Sequence, residues 1–280
     1  MTPEVFADWA KKTPKIRQNI IRMITNAKSG HPGGSLSMVE LIMALFAPNG
    51  VMKLNDDLNS NDRDRFVLSK GHGVPALYAV LGELGIGNVD ANKAVETLRQ
   101  LGSDYQGHPD RVRLPIVEAS TGSLGQGLSI AQGIAMSYKM DNNPHKVYTI
   151  IGDGEMQEGQ IWEAGLSAAH KKLGNLIAIL DYNKAQIDGH TSEVLSLDPL
   201  TDKWRAFGWH VHEIDGHNYA EICKALTDNH AEKPTMIIAN TIKGKGVSFM
   251  EGQVGWHGKA PSPEEADQAC KEVEQLTIGL

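Results

Sequence analysis

The chain has 280 residues, a formal net charge of -7 and 41% hydrophobic residues. These values are typical of a folded globular protein and exclude disordered, collagen-like and coiled-coil chains, while the acidic balance argues against a general nucleic-acid-binding surface. The sequence has no apolar run of the roughly 18 residues that a membrane span needs, no signal-peptide pattern at its start and only two, widely spaced, cysteines. We therefore expect a cytoplasmic protein with neither nucleic acid nor a membrane as a partner.

The first half of the chain predicts helices separated by glycine-rich breaks. Apolar residues recur at three-to-four spacing over 16–27, which indicates an amphipathic helix that ends at the motif SGHPGG. Ser35 is a candidate N-cap for a second helix over 36–46. A buried strand and two more helices follow, at 65–69, 76–84 and 91–101. The segment 102–123 is rich in Gly, Pro and polar residues and predicts a long loop of the kind that carries function.

The second half predicts alternating strands and helices. A helix over 124–140 has Gly and Ala on its faces, so we expect it to be buried and tightly packed. Short aliphatic and β-branched runs predict strands at 147–151, 176–180, 210–214 and 235–239. The intervals are long enough for crossover helices, which is typical of a parallel sheet. We therefore predict one α/β domain over 1–280, a doubly wound parallel sheet with helices on both faces, and a polar helical tail at about 262–280.

Glycine and histidine occur together more often than chance predicts. About two of eleven histidines would have a Gly neighbour by chance, but six do: His31, His72, His108, His190, His217 and His257. Glycine allows the backbone to come close to a ligand while the imidazole faces it. Ordinary loop composition is sufficient for any single pair, but together these loops are candidates for one site.

Asp153 and Asn183 follow two of the predicted strands, where ligands of doubly wound sheets bind. Their carboxylate and amide oxygens suit a hard cation such as Mg²⁺ or Ca²⁺ rather than Zn²⁺. Two side-chain oxygens cannot complete an octahedron, so the ion would need a backbone carbonyl and oxygens from a ligand, for which a diphosphate is the natural donor. Backbone N–H groups of the glycine loop and of the helix after residue 155 would bind the remaining phosphate oxygens. On spacing alone, ordinary turn and cap roles for Asp and Asn remain open.

Longer motifs identify a family. GDGEMQEG followed by DYNKAQIDG resembles the GDG…N diphosphate-binding signature of thiamine-diphosphate enzymes. The motifs SGHPGGSLSMVEL, SKGHG, QGHPD, TGSLGQGLSIAQGIAMS and WHG stand in the order found in transketolases. From the first helix to His257, the chain resembles the N-terminal, diphosphate-binding half of a transketolase.

The resemblance implies thiamine diphosphate as cofactor and Mg²⁺, or Ca²⁺ or Mn²⁺, as the metal. It implies Asp153, Asn183 and the backbone carbonyl of Ala185 as metal ligands, and places Gly152 and Gly154 at the diphosphate.

The resemblance also implies four catalytic histidines. His72 and His257 would lie near the diphosphate and the substrate, while His31 and His108 would move protons and bind donor hydroxyls. The remaining cofactor contacts implied are Gly122 and Leu124, which line the thiazolium and aminopyrimidine, and Glu158, which links paired active sites across a dimer interface.

Two departures from the commoner family pattern leave the donor sugar open. Ser123 stands where many members have Pro, and SDYQGHPD replaces a TPGHPE-like loop. The stretch TIKGKGVSFMEGQVGWHGKAP resembles split, two-gene transketolases. Its Lys243 and Lys245 could face an anionic substrate, but we expect each to lie in a solvated loop.

The pyrimidine-binding domain of full-length transketolases, with the glutamate that helps to form the ylide, is absent from this sequence. The tail glutamates are expected on a solvated helix face. We therefore expect the chain to be inactive alone and to require a C-terminal transketolase subunit with that domain, as an α₂β₂ heterotetramer acting on sugar phosphates.

The leading interpretation is a split transketolase that moves a two-carbon ketol (glycolaldehyde) unit from a ketose phosphate to an aldose phosphate, as in the pentose phosphate pathway. A variant for a sulfo-sugar or branched-sugar phosphate stays open, as does a non-catalytic interaction subunit. A deoxyxylulose-phosphate synthase or the α chain of an oxo-acid dehydrogenase fits less well, because neither is expected to have all four histidine motifs.

Overall fold

Residues 1–276 are described from a computed structural model. The helices are α1 (Pro3–Ala27), α2 (Pro32–Leu36), α3 (Val39–Phe46), α4 (Val74–Leu84), α5 (Ala91–Thr97), α6 (Gln126–Met140), α7 (Gly159–His170), α8 (Thr191–Val194), α9 (Leu200–Ala206), α10 (Tyr219–Thr227) and α11 (Pro263–Glu274). The strands are β1 (Arg65–Leu68), β2 (Val147–Gly152), β3 (Leu176–Tyr182), β4 (Ala185–Gln186), β5 (Gly189–His190), β6 (His210–Asp215) and β7 (Thr235–Asn240).

The central sheet is parallel and doubly wound, which confirms the predicted fold class. Its strand order is β1-β2-β3-β7-β6, and every neighbouring pair runs parallel. The chain proceeds in one direction from β1 to β3 and in the opposite direction from β6 to β7, so the strand order reverses between β3 and β7. A reversal of this kind opens a crevice at the carboxyl ends of the strands.

Apolar residues pack on both faces of this sheet. One core joins the sheet to α1, α3, α4, α10 and α11, and the other joins it to α6, α7 and α9. The strands β2, β3 and β7 are buried on both faces, which explains their continuous aliphatic sequences. No helix within residues 1–276 has the length and apolar character needed to cross a membrane.

The N-terminal helices differ from the sequence prediction. Helix α1 starts at Pro3 rather than at residue 16, because Phe6 and Trp9 continue its buried face and the Trp9 indole donates to the Pro48 carbonyl at 3.0 Å. The SGHPGG break contains the short helix α2. Ser35 lies inside that helix, where its hydroxyl donates to the His31 carbonyl at 2.8 Å, so the N-cap prediction is wrong.

The structure corrects two further helix boundaries and one prediction of burial. Helix α5 ends at Thr97, and Arg99 follows in the left-handed region with a φ of 61°. Helix α6 is not buried all round: its inner face packs on β1 and β2, but Met136 is 39% exposed. Helix α7 begins at Gly159, after a 3-10 turn over Glu155–Gln157. The loop predicted at 102–123 is confirmed, since it contains neither helix nor strand.

The predicted tail contains α11, which starts with a complete capping box between Ser262 and Glu265. The last part of the tail prediction, 277–280, lies outside the described residues.

Candidate functional site

The carboxyl ends of β2 and β3 bring the predicted oxygen ligands together. Gly152 pairs with Asp181 in the sheet, so Asp153 and Asn183 leave adjacent strands on the same edge. A cavity of about 220 Å³ opens there. Nine of the predicted site residues line it: His72, Leu124, Gly152, Asp153, Gly154, Glu158, Asn183, Ala185 and His257.

Asp153 holds a buried carboxylate with one unused oxygen. Its Oδ1 accepts the Gly154 N–H at 2.7 Å, while its Oδ2 is buried without a hydrogen-bond partner among residues 1–276. Burial, and then the neighbouring Asp181 carboxylate, raise the pKa of Asp153 to about 6. A buried carboxylate oxygen without a partner is costly, and a bound cation would remove that cost.

The other two predicted ligands complete an oxygen set. The Asn183 side-chain oxygen accepts the Ala185 N–H at 3.3 Å, and its amide donates to Asp181 at 3.3 Å, which fixes the orientation of the side chain. The Ala185 carbonyl faces Lys243. A carboxylate, an amide oxygen and a carbonyl form a donor set of the kind that binds Mg²⁺, so these residues fit the metal that the sequence predicted.

A buried ion pair lies beneath this oxygen set. The Lys70 ammonium donates to Asp181, and also to the Gly34 carbonyl at 3.0 Å. Asp181 additionally accepts the hydroxyl protons of Ser37 and Thr241. Burial alone would raise the pKa of Asp181, but the Lys70 charge outweighs it and lowers that pKa. The pair therefore ties the SGHPGG and KGHG segments to the ends of β3 and β7.

Lys243 is buried, so the solvated-loop prediction for it is wrong. It is 2% exposed, and its Nζ lies 2.9 Å from the Ala185 carbonyl oxygen and 3.1 Å from His257 Nδ1. Burial, and then the nearby Lys70, lower its pKa to about 8. At neutral pH it remains mainly protonated, so the cavity has two buried cations on its walls.

Three of the predicted histidines form one cluster. The ring centroids of His31, His72 and His257 are 5.0 to 5.4 Å apart. Burial, followed by nearby cationic or histidine side chains, lowers the pKa of His31 to about 4 and that of His257 to about 3, and lowers the pKa of His72 as well. All three rings are therefore neutral at pH 7 and can donate a proton at one nitrogen and accept at the other.

His108 and Gly122 lie outside the cavity lining but contact each other. Gly122 has a φ of +135°, and a Cβ there would come within 2.7 Å of the His108 ring. His108 is exposed and lies close enough to Arg99 for that charge to lower its pKa, with burial the larger cause. Glu158 is also exposed, at the N-terminus of α7. These positions leave His108 and Glu158 available to other molecules.

Two lysines of the site were missed by reasoning from sequence, which predicted no role for Lys70 and placed Lys243 in solvent. The available signal for Lys70 was its position directly after a buried strand, in a glycine-flanked loop. For Lys243, the signal was in the SGHPGG motif: a Cβ on Gly33 would be 2.8 Å from Lys243 Cγ, so the lysine side chain packs directly on this glycine.

A doubly wound sheet with oxygen donors and buried cations at the carboxyl ends of its strands is the arrangement expected of an α/β domain that binds an anionic cofactor. The sequence matches the family described as "Transketolase, thiamine diphosphate binding domain" over residues 10–274. The chain belongs to this family.

Two curated relatives and one solved structure illustrate the relationship. The 6-deoxy-6-sulfo-D-fructose transketolase subunit SqwG of Clostridium sp. (strain MSTE9) is 48% identical, over 92% of this chain and 94% of the relative. An apulose-4-phosphate transketolase subunit from Phocaeicola vulgatus is 41% identical, over 94% of this chain and 93% of the relative. The transketolase of Campylobacter jejuni has a TM-score of 0.87 and 31% identity over 99% of this chain, which spans 44% of that longer protein.

Proposed function

We propose that this chain is the diphosphate-binding subunit of a two-chain transketolase that uses thiamine diphosphate and Mg²⁺. It transfers a two-carbon ketol unit from a ketose phosphate to an aldose phosphate together with a separate pyrimidine-domain subunit. The observation that carries the proposal is the buried Oδ2 of Asp153, which has no hydrogen-bond partner among residues 1–276, in an oxygen-lined cavity that borders three neutral histidines.

In this proposal Asp153, Asn183 and the Ala185 carbonyl hold the metal. Gly152 and Gly154 bring backbone close to the diphosphate, and the Lys70 and Lys243 charges favour an anion in the cavity. A divalent cation next to a diphosphate outweighs any single side chain, because each unit-charge contact at about 4 Å contributes roughly 4 kcal/mol at an effective dielectric of 20. This arrangement explains how an acidic chain binds an anionic cofactor.

The bound thiamine ring supplies the carbanion chemistry of ketol transfer. This chain contributes the neutral imidazoles of His31, His72 and His257, which donate or accept protons at the donor hydroxyls without an energetic cost for prior deprotonation at pH 7. His108, near the cluster but exposed, binds a donor hydroxyl. Gly122 and Leu124 line the thiazolium and aminopyrimidine.

The partner is a C-terminal transketolase subunit with a pyrimidine-binding domain, in an α₂β₂ assembly. Two observations support this proposal: both curated relatives are named as subunits and are covered almost completely, whereas the chain spans less than half of a solved transketolase. Glu158, exposed beside the cavity, is the residue we propose to link paired sites. We also retain the prediction of one cytoplasmic, thiamine-diphosphate-binding domain.

The metal assignment is tested with Asp153→Asn, which keeps the side-chain volume and removes the charge. Isothermal titration of thiamine diphosphate, with and without Mg²⁺, is performed on the chain assembled with its partner subunit. We expect Mg²⁺-dependent binding to be lost in Asp153→Asn and retained in Asp202→Asn, a control at an exposed position on α9. Equal Mg²⁺-dependent affinities in the two variants would contradict the assignment.

A second donor is favoured by a specific observation. The relative at 48% identity is named for 6-deoxy-6-sulfo-D-fructose, and this chain also has Ser123 and the SDYQGHPD loop at the predicted donor edge. We propose a sulfo-sugar donor as the alternative to a ketose phosphate, ahead of the branched-sugar phosphate suggested by the apulose-4-phosphate relatives. The kcat/KM values of the assembled enzyme for fructose 6-phosphate and 6-deoxy-6-sulfofructose decide between the two donors.

A further inference from the structure

A cluster of metal-ligating side chains lies at the edge of the central sheet. His210 and His212 are two positions apart on the edge strand β6, so they share one face of the sheet. Asp228 follows α10 directly and faces them. One ligand atom from each of the three residues lies within 4.8 Å of the others.

This cluster is remote from the cofactor cavity. His210 pairs with Thr235, which pairs in turn with Ile177 at the start of β3, whereas Asn183 lies beyond the other end of that strand. The separation of 183 − 177 = 6 positions along β3 corresponds to roughly 20 Å at about 3.3 Å per residue. The cluster therefore does not belong to the thiamine-diphosphate site.

The ring of His210 faces the Asp228 carboxylate. His210 Nε2 is buried without a hydrogen-bond partner among the described residues, and lies 3.7 Å from Asp228 Oδ1. The Asp228 side chain is 61% exposed, so an ion can enter from solvent.

We propose that His210, His212 and Asp228 form a Zn²⁺-binding site that is separate from the Mg²⁺ site. Two imidazoles and one carboxylate are ligands typical of Zn²⁺ rather than Mg²⁺. Bonds of about 2.0 Å in a tetrahedron separate ligand atoms by roughly 3.3 Å. The imidazole Nε2 atoms of His210 and His212 lie 3.7 and 3.9 Å from the two Asp228 carboxylate oxygens, and one ligand atom of each residue lies within 4.8 Å of the others, so a closure of at most about 1.5 Å brings the set to this value.

The site would fasten the edge strand to the connection between α10 and β7. His212 Nε2 donates to the Asp228 backbone carbonyl at 2.9 Å; coordination would replace this hydrogen bond, with the ring proton carried on Nδ1 instead of Nε2. The fourth position is filled by water or by His230, whose Nδ1 accepts the Glu232 N–H at 3.1 Å and whose ring centroid is 6.4 Å from that of His210. A metal at this position stabilises the folded chain by mass action.

The test is titration of the full chain, free of any histidine tag, with Zn²⁺ in the presence of saturating Mg²⁺. We expect one Zn²⁺ per chain, a thermal midpoint that rises with Zn²⁺ concentration, and visible absorption bands of tetrahedral Co²⁺ when Co²⁺ replaces Zn²⁺. Because loss of a residue that only supports a ligand already weakens metal binding by about 10–100-fold, His210→Gln and Asp228→Asn should each weaken it at least about tenfold.

Two controls keep the result specific to this cluster. His190→Gln, at an exposed histidine on β5, should bind Zn²⁺ as the unchanged chain does, and Asp153→Asn should retain one Zn²⁺ per chain. Thermal unfolding without metal checks that His210→Gln and Asp228→Asn are folded. Absence of stoichiometric Zn²⁺ binding, or equal binding in His210→Gln and His190→Gln, would overturn the proposal. The polar side chains on β6 would then serve only to prevent this edge strand from pairing with a strand of another molecule.

Discussion

His31 illustrates how burial and charge together set the state of one side chain. It packs against His72 and His257 at centroid distances of 5.0 and 5.4 Å, and its Nδ1 is buried without a hydrogen-bond partner in the described part of the chain. Burial, and then Arg99, hold its pKa at about 4. This ring therefore stays neutral in the folded state under conditions in which it would be protonated in the unfolded chain.

This difference predicts a pH dependence of stability that involves His31. Below the unfolded pKa of 6.5, the unfolded chain binds a proton that the folded chain excludes down to about pH 4, so the free energy of unfolding falls as the pH falls. Between pH 7.5 and 5, the free energy of unfolding should fall by about 1 kcal/mol less in His31→Gln than in the wild type. This figure is reduced from the full linkage value because solvent screens the partly exposed ring. The raised pKa of Asp153 changes the free energy of unfolding in the opposite direction as the pH falls. Because this contribution is the same in both proteins, it cancels in the comparison. Urea unfolding at several pH values measures the difference, and parallel profiles would contradict the expectation.

Gly122 is a second residue whose local geometry has a measurable consequence. Its φ of +135° is unfavourable for any side chain, and a Cβ would collide with His108. Gly122→Ala should therefore destabilise the chain by roughly 1 kcal/mol or more. The matched control is Gly133→Ala in α6, where a Cβ meets no atom within 4 Å; it should stabilise the chain by about 0.5–1 kcal/mol through helix propensity. Similar midpoints of denaturation for the two variants would argue against a special role of the Gly122 backbone.

At the scale of elements, a buried charge cluster joins α1, α3 and the turn after β6. Arg17 and Glu40 are fully buried and make two contacts of 2.8 and 3.0 Å, while His217 Nδ1 donates to Glu40 at 2.9 Å. His217 Nε2 in turn accepts the Ile242 N–H at 2.9 Å, next to Lys243. Burial alone would raise the pKa of Glu40, but the Arg17 charge outweighs it and lowers that pKa to about 2. The cluster therefore connects the packing of α1 to the loop that carries a cavity lysine.

Glu40→Gln should destabilise the chain severely, because it leaves the Arg17 guanidinium buried without a countercharge. Breaking such a pair costs about 3–5 kcal/mol, whereas replacement of both partners by apolar side chains is often close to neutral. Chemical unfolding should therefore give a large loss for Glu40→Gln, recovery in the Arg17→Met/Glu40→Leu double variant, and almost no change for the exposed control Glu96→Gln. A loss below about 1 kcal/mol would mean that the buried pair is not coupled as its geometry indicates.

At the scale of the whole molecule, the chain provides some, but not all, of the groups that ketol transfer needs at the cofactor cavity. The described residues supply it with oxygen donors, cations and neutral histidines. Glu155, a buried glutamate of the cavity lining, accepts hydrogen bonds from Ser69 and from the Gly125 and Gly152 N–H groups and is fully occupied with them. Under the proposed function, the carboxyl group that protonates the aminopyrimidine comes from the partner subunit rather than from Glu155.

This expectation predicts that the purified chain with thiamine diphosphate and Mg²⁺ has no ketol-transfer activity. Addition of the pyrimidine-domain subunit should restore activity, with a dependence on subunit ratio that saturates at one to one. A coupled assay of the aldose product, together with the mass of the assembly by light scattering, measures both. Turnover by the chain alone would refute the split-enzyme proposal, while leaving the family assignment intact.

Local sequence patterns determined the fold class and the strand ends that bear Asp153 and Asn183. Periodicity and strand spacing depend on the backbone and on which face is apolar, so they can be read from neighbouring residues. The motif order added the family. By contrast, the start of α1, the exposed face of α6 and the short helix at SGHPGG depend on packing between segments far apart in the chain.

The electrostatic state of the site was decided by tertiary structure alone. The sequence places Lys70, Asp181 and Lys243 in three separate segments, and only the fold buries them together beside the cavity. Likewise, six glycine-flanked histidines suggested a shared site, but the structure brings just His31, His72 and His257 into mutual contact within the described residues. Burial and charge depend on every neighbour in three dimensions, which is why the sequence determined the chemistry of the side chains and the structure determined their protonation.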